Sequence, residues 1–103
     1  MRLYIAGPMT GLPEFNFPAF DAAEDVIRAA GFDTRNPARH GAGDPGQTWA
    51  DYMRRDIPDL LACDGVALLP GWEHSRGARL EVYIADALDM PIRPVAEWLE
   101  RAA

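Results

Sequence analysis

Short runs of apolar residues and longer stretches with helical spacing alternate along the whole chain. Continuous apolar runs at residues 2–6 and 65–69 are typical of strands covered on both faces. A brief strand is indicated at residues 32–35, and a last short one begins at Pro91 and Ile92. The pattern therefore predicts four strands, each followed by a segment whose apolar residues have helical spacing.

The first two helices are predicted from their start signals and apolar spacing. Pro18 suits the first position of a helix that ends before Gly31, with an apolar stripe through Phe20 and Ala23 and either Val26 or Ile27. Thr48 begins the second helix, and Asp51 three residues later completes a capping box. We expect Pro58 to interrupt or kink this helix, which resumes over residues 60–62.

The last two helices are also predicted from capping residues and apolar spacing. Ser75 caps a helix whose apolar face is predicted from Ala78, Val82, Ala85 and Leu88. A terminal helix over residues 95–101 has Trp98 and Leu99 as its apolar contacts. The long polar segment at residues 36–47 is rich in Gly, Pro and Asp, and we expect it to be a loop over the site.

The resulting order β-α-β-α-β-α-β-α predicts an α/β fold in a single domain over residues 1–103. We expect a Rossmann-like or flavodoxin-like open parallel sheet of four to five strands with helices on both faces. Because the core of so short a chain is small, a homodimer or higher homo-oligomer that buries more surface is expected.

Charge and cysteine content narrow the possible functions. The net charge of −6 argues against a general nucleic-acid binder, although a small anionic ligand remains possible. The single Cys63 excludes an internal disulfide and fits a reducing compartment, so we expect a cytoplasmic protein and an inert core thiol. No apolar run approaches the roughly 18 residues of a membrane span, so no membrane partner is expected.

The most informative stretch for chemistry runs from Asp64 to Glu81. It predicts a buried strand, a tight loop and a helix that carries Glu81 in its first turns. Ligands of open α/β sheets bind at the carboxyl ends of strands, and helix N-termini favour anions. Ser75 is either only the helix cap or also part of a phosphate cradle, and Gly77 leaves room for a ligand beside Glu81.

Two further residues are candidate partners of Glu81. Asp56 is predicted at the end of the second helix, where a carboxylate is unfavourable to the helix dipole, and such a rule-breaking residue is a functional candidate. Tyr4 is either a core aromatic or a hydroxyl pointing into the crevice. Asp64 is interpreted as a turn or cap residue.

Metal and cofactor sites are not predicted. His40 and His74 lack ligand spacing with Cys63 or any acid. The segment from Gly7 to Gly11 is not a phosphate-binding P-loop, because no Gly-Lys-Ser/Thr follows it, and the chain has no Gly-x-Gly-x-x-Gly. We therefore expect neither a metal nor a cofactor.

Taken together, these motifs resemble the nucleoside 2-deoxyribosyltransferase-like family, in particular a small, often phage-encoded branch of uncharacterised function. The resemblance covers nearly the whole chain. It rests on Tyr4-Ile-Ala-Gly7-Pro8-Met9-Thr-Gly11, Asn16-Phe-Pro18-Ala-Phe20, Asn36-Pro37, Tyr52-Met-Arg-Arg-Asp56, Cys63-Asp64, Trp72-Glu-His-Ser75-Arg-Gly77-Ala78-Arg-Leu-Glu81 and Ala85.

The resemblance implies chemistry at the N-glycosidic bond. It assigns Glu81 as the nucleophile at C1′ of the sugar, Asp56 as the group that protonates or positions the base, and Tyr4 as the residue that orients Glu81. Gly7, Ser75 and Gly77 are the implied substrate-binding residues. We expect the helix N-terminus to help keep Glu81 ionised.

The residue at position 75 favours a nucleotide substrate. Transferases of free nucleosides tend to carry an Asp there, whereas 2′-deoxynucleoside 5′-phosphate N-hydrolases, which the chain also resembles, carry a Ser. An Asp repels a phosphate, while a Ser can donate to it. Arg76 or Arg79 can assist, although a solvated helix face is the favoured interpretation of both. The hydrolases also use a C-terminal Ser of the partner subunit, and no Ser follows Pro94 here.

The sequence therefore predicts an enzyme, an N-glycosidase that hydrolyses a (deoxy)nucleoside 5′-monophosphate. The alternatives are a nucleoside 2-deoxyribosyltransferase using the same residues and a catalytically silent nucleotide-binding module.

Overall fold

The computed structural model describes residues 1–41 and 43–102; Ala42, within the predicted loop, and Ala103 lie outside the described residues. Four strands and four α-helices alternate along the chain, as the pattern predicts. In order they are β1 Arg2–Ala6, α1 Phe17–Ala29, β2 Asp33–Arg35, α2 Trp49–Leu61, β3 Gly65–Leu68, α3 Arg76–Ala87, β4 Ile92–Pro94 and α4 Val95–Ala102. Short 3-10 turns occupy Pro37–His40 and Trp72–His74, and an irregular turn occupies Pro13–Asn16.

The four strands form one parallel sheet in the order β2-β1-β3-β4. This is the order of the first four strands in flavodoxin-like folds, so the predicted α/β open sheet is confirmed. The chain moves outward from β1 to β2 and then crosses back to β3 on the other side of β1. The crevice at the carboxyl ends of β1 and β3 is therefore the topological switch point.

Alternating residues of the central strand β1 face two different helical layers. Leu3 and Ile5 belong to a core cluster that also holds residues of α1 and α4. Tyr4 and Ala6 face the other way, into a cluster with residues of α2 and α3. All four of these residues are fully buried. The sheet thus has helices on both faces, as predicted, and the hydroxyl of Tyr4 lies on the side of α2 and α3.

Helix α1 resolves one alternative in the sequence pattern, and α3 corrects one prediction. Ile27 is fully buried whereas Val26 is 44% exposed, so Ile27 continues the apolar stripe of α1. Leu88, predicted on the apolar face of α3, is 55% exposed. It follows the last residue of the helix, where the backbone has already left the helical path, and so its side chain no longer points toward the sheet.

Helix α2 also differs from the prediction. It runs as one helix from Trp49 to Leu61 with Pro58 inside it, so an interruption is wrong, while a kink at Pro58 stays a prediction. Proline removes one backbone hydrogen bond. Burial of Met53 and Leu60 and the predicted capping box of Thr48 stabilise the helix as a whole, because helices in proteins depend mainly on tertiary packing.

No helix within residues 1–41 and 43–102 is both long and apolar enough to cross a membrane.

Candidate active site

A cavity of about 400 Å³ opens at the carboxyl end of β1. Its walls come from β1 and the segment that follows it, from α2 and the start of α3, and from the loop that precedes α2. Six of its lining residues are those singled out in the sequence: Tyr4, Gly7, Asp56, Ser75, Gly77 and Glu81. The fold thus brings together side chains that are up to 77 positions apart in the chain.

Tyr4 and Glu81 form a buried hydrogen-bonded pair at the base of this cavity. The Tyr4 hydroxyl donates to Oε2 of Glu81. Tyr4 is fully buried and Glu81 is 5% exposed. Both alternatives for Tyr4 are therefore realised, since its ring belongs to the core and its hydroxyl reaches the crevice. Burial and the neighbouring carboxyl groups raise the pKa of Tyr4 well above its ordinary value, so it remains a proton donor.

The charge of Glu81 differs from the expectation. Burial raises its pKa to about 8, the Tyr4 hydrogen bond opposes this, and the proximity of Asp56 adds to the rise. Glu81 is the sixth residue of α3 and lies in its second turn. The helix dipole acts mainly within the first turn, so it does not keep this carboxyl ionised. These surroundings therefore favour the protonated form of the Glu81 carboxyl.

Asp56 lies in the interior of α2 rather than at its end. The helix continues to Leu61, so the argument from an unfavourable helix terminus is wrong for this residue. Asp56 is nevertheless 9% exposed and lines the cavity. Burial raises the pKa of its carboxyl, although the guanidinium of Arg55, with Nε 3.4 Å from Oδ1, partly opposes the rise.

Arg55 links Asp56 to the loop that covers the cavity. Its two terminal nitrogens donate to the carbonyl oxygens of His40 and Gly41, each at 3.1 Å. The hydroxyl of Tyr52 accepts a hydrogen bond of 2.8 Å from the backbone N–H of Asp44 in the same loop. The loop was predicted to lie over the site, but these contacts were not, because the sequence pattern assigned Tyr52 only to an apolar helix face.

At the start of α3, Ser75 has the capping role that the sequence indicated. Its Oγ accepts a hydrogen bond of 3.2 Å from the N–H of Ala78. The same side chain lines the cavity, and its hydroxyl hydrogen remains free to be donated elsewhere. The cap and a ligand contact are therefore compatible.

The two predicted substrate-binding glycines also have a packing role. A Cβ on Gly77 would lie 3.2 Å from Sδ of Met53, so its absence allows α2 and α3 to approach closely. A Cβ on Gly7 would lie 2.7 Å from Cβ of Leu69, where the ends of β1 and β3 meet. Both residues line the cavity because the backbone itself forms its wall there.

A strained turn before α1 reaches the mouth of the cavity and was not anticipated. Glu14, Phe15 and Asn16 have φ values of 51°, 52° and 61°, which are unusual for residues other than glycine. The side chain of Asn16 donates to the carbonyl of Pro8 at 3.0 Å and holds this turn in place. Phe15 then packs against Gly43, where a Cβ would lie only 2.5 Å from its ring.

Other candidate residues have structural roles. The carboxylate of Asp64 accepts a hydrogen bond of 2.8 Å from the backbone N–H of Arg2, in keeping with its interpretation as a turn residue. Cys63 is buried, and burial raises the pKa of its thiol to about 11, so this sulfur is unreactive. Nε2 of His40 lies 2.7 Å from Oδ2 of Asp59, and neither residue lines the cavity.

The fold and the cavity define a class: a small flavodoxin-like α/β protein with two buried carboxyl groups at its switch point. Residues 1–93 match the family described as a domain of unknown function, DUF4406, and the chain belongs to this family. None of the curated proteins is similar enough to the chain to count as a match.

Proposed function

We propose that the protein is an N-glycosidase that hydrolyses the bond between base and sugar in a (deoxy)nucleoside 5′-monophosphate. The observation that carries this proposal is the placement of two buried carboxyl groups, Glu81 and Asp56, in one cavity with the Tyr4 hydroxyl on Glu81. Glycosidic chemistry uses such a pair, one group as nucleophile and the other as proton donor.

In the first step, the carboxylate of Glu81 attacks the anomeric carbon C1′. A bond forms between Oε of Glu81 and C1′ while the C1′–N bond breaks, and its electron pair leaves with the base. The carboxyl of Asp56 transfers its proton to the departing base. The raised pKa of Asp56 suits this role, because a group that keeps its proton longer is a better acid near neutral pH.

In the second step, water attacks C1′ and Asp56, now a carboxylate, accepts its proton. The bond from C1′ to Glu81 breaks, and the carboxylate of Glu81 is regenerated. Only ionised Glu81 is a nucleophile and only protonated Asp56 is an acid, so turnover should be greatest between the two apparent pKa values and should fall at lower and at higher pH. The Tyr4 hydrogen bond favours the ionised form and fixes which oxygen faces the sugar.

The direct test is incubation with a panel of 2′-deoxynucleoside 5′-monophosphates and the matching nucleosides, followed by chromatography of the released base. Each reaction is run with and without a second free base. We expect release of base and formation of sugar phosphate. A new nucleotide formed only with the second base would identify transfer instead, since water and a base compete for the same intermediate.

The proposal is wrong if no substrate releases base while Glu81→Ala binds the nucleotides as tightly as the parent protein. That result would identify a catalytically silent nucleotide-binding module, which ligands stabilise against heat without turnover.

A further inference from the structure

Arg76 and Arg79, both on α3, differ in their contacts with the residues that line the cavity, which the sequence does not reveal. Both arginines are exposed and neither is among the residues that line the cavity, but Arg76 contacts the cavity lining through Trp49. The guanidinium of Arg76 lies 3.7 Å from the centroid of the Trp49 ring, and Trp49 lines the cavity. Within residues 1–41 and 43–102, no carboxylate lies within ion-pair distance of Arg76.

The positive charge of Arg76 is significant because acidic residues outnumber basic ones among the described residues that line the cavity. Three acidic residues line it: Asp44, Asp56 and Glu81. Among the described lining residues the basic side chain is Arg55, and its guanidinium is already bonded to two loop carbonyls and to Asp56. In the reacting form Glu81 is ionised and would repel a phosphate in the same cavity, so a further cation has to compensate.

We propose that Arg76 binds the 5′-phosphate of the substrate and so determines the preference for a nucleotide over a nucleoside. This inference rests on the proposed function, since it concerns the substrate of the same site. Stacking on Trp49 engages the face of the guanidinium and leaves the N–H groups at its edge free for phosphate oxygens. Ser75, the preceding residue, lines the cavity beside it.

The preference is measured as the ratio of kcat/KM for a 2′-deoxynucleoside 5′-monophosphate to that for the matching nucleoside. We expect Arg76→Ala to lower kcat/KM for the monophosphate by roughly tenfold or more, mainly through KM, because a charge-assisted hydrogen bond is lost. The value for the nucleoside should change by less than about twofold. Arg76→Lys should restore part of the preference, because it restores the charge without the planar fork.

Arg79→Ala is the matched control, since it removes the same charge from the same helix one turn further on. It should leave both substrates unaffected. An equal loss on nucleoside and monophosphate with Arg76→Ala would overturn the inference, and so would an unchanged ratio. In either case base release by the parent protein would still support the proposed function.

Binding provides a readout if the parent protein releases no base. Calorimetry with the monophosphate and the nucleoside should then show weaker monophosphate binding for Arg76→Ala, at least tenfold, with nucleoside binding retained. Equal binding of the two ligands by the parent protein, or no binding of the monophosphate, would overturn the role of Arg76.

Discussion

Two buried glutamates in this small protein have opposite surroundings. Glu24 on α1 is 2% exposed, and its carboxylate accepts hydrogen bonds from Arg39 and from Thr34, with Arg28 3.6 Å away. Burial alone would raise its pKa, but the bonds from Arg39 and Thr34 outweigh burial and lower it. Glu81 on α3 is also shielded from solvent, at 5% exposed, yet its hydrogen-bond donor is the neutral hydroxyl of Tyr4, and its pKa rises to about 8.

The contrast separates a structural carboxylate from a candidate for chemistry. Glu24 joins α1 to Thr34 on β2 and to Arg39 in the following turn, so its charge stabilises the fold. Among the residues that the structure describes, no cation compensates for the burial of Glu81, and its neighbour Asp56 is another carboxyl. Groups held in such an unfavourable state cluster at functional sites, because the same surroundings that destabilise the charge make it reactive.

The largest effect is expected from neutralising the candidate nucleophile. Glu81→Gln should lower base release by at least about a thousandfold, or roughly 4 kcal/mol in activation free energy, because an amide cannot capture C1′. Glu24→Gln is the matched control, and its folded fraction should keep a parental kcat. A comparable loss in both variants would remove the distinction between the two glutamates.

The second effect concerns stability, and its sign follows from the raised pKa of Glu81. Folded protein keeps this proton up to pH 8, whereas the unfolded chain loses it near 4.5, so its contribution to stability falls as pH rises between these values. At pH 8, Glu81→Gln should therefore be more stable than the parent by about 4 kcal/mol, because this pH lies about 3.5 units above the pKa in the unfolded chain, one unit corresponds to about 1.4 kcal/mol, and partial ionisation of the folded protein subtracts little.

Urea denaturation of the parent and of Glu81→Gln at several pH values from 5 to 8 measures this difference. The two free energies of unfolding should converge at the acidic end of the series. A difference that does not vary with pH would show that the carboxyl is not held in its protonated form.

For Glu24, the contribution to stability is expected to change with pH in the opposite direction to that of Glu81. Its lowered pKa means that its carboxylate contributes stability above about pH 4.5, and this contribution is lost as the pH falls through the folded-state value. Glu24→Gln should therefore lower the free energy of unfolding by about 2 kcal/mol at pH 7, since charge-assisted hydrogen bonds are lost. The same denaturation series, extended to pH 3, should show the deficit shrinking in acid; a deficit that grows there would contradict the assignment.

The smallest effect is expected from removing the hydrogen bond that the Tyr4 hydroxyl donates to Glu81, which favours the ionised carboxylate. Tyr4→Phe removes the hydroxyl, so the pKa of Glu81 should rise further and the pH–rate profile should move to higher pH. At pH 7 we expect base release to fall about tenfold, close to 1.4 kcal/mol. Tyr52→Phe is the control, because that hydroxyl contacts the loop and not Glu81. An unshifted profile for Tyr4→Phe would place the hydroxyl outside the reaction.

The fold was largely predictable because it depends on local signals. The two continuous apolar runs coincide with β1 and β3, and the capping box at Thr48 and the cap at Ser75 lie where α2 and α3 begin. The errors also have local causes. Pro58 was given more weight than the packing of α2, and the end of α3 was placed one residue too late for Leu88 to be buried.

The site was predictable only in part. The grouping of Tyr4, Asp56 and Glu81 was predicted from strand order and resemblance, and the structure places all three at one cavity. The contacts of Arg55 with the loop carbonyls had no sequence signal, because they depend on how the loop folds back over α2. The left-handed turn at residues 14–16 had none either, since these residue types rarely adopt it.

The sequence by itself thus determined the order of strands and helices and the residue types available for chemistry. Periodicity and capping are local properties, so one chain segment is enough to indicate them. The charge states of Glu24 and Glu81 were decided by tertiary structure alone. Both are glutamates on helices in the sequence, and only the fold places cations around Glu24 and a second carboxyl beside Glu81. A pKa depends on burial and on neighbours distant in the chain, which is why the sequence did not indicate the raised pKa of Glu81.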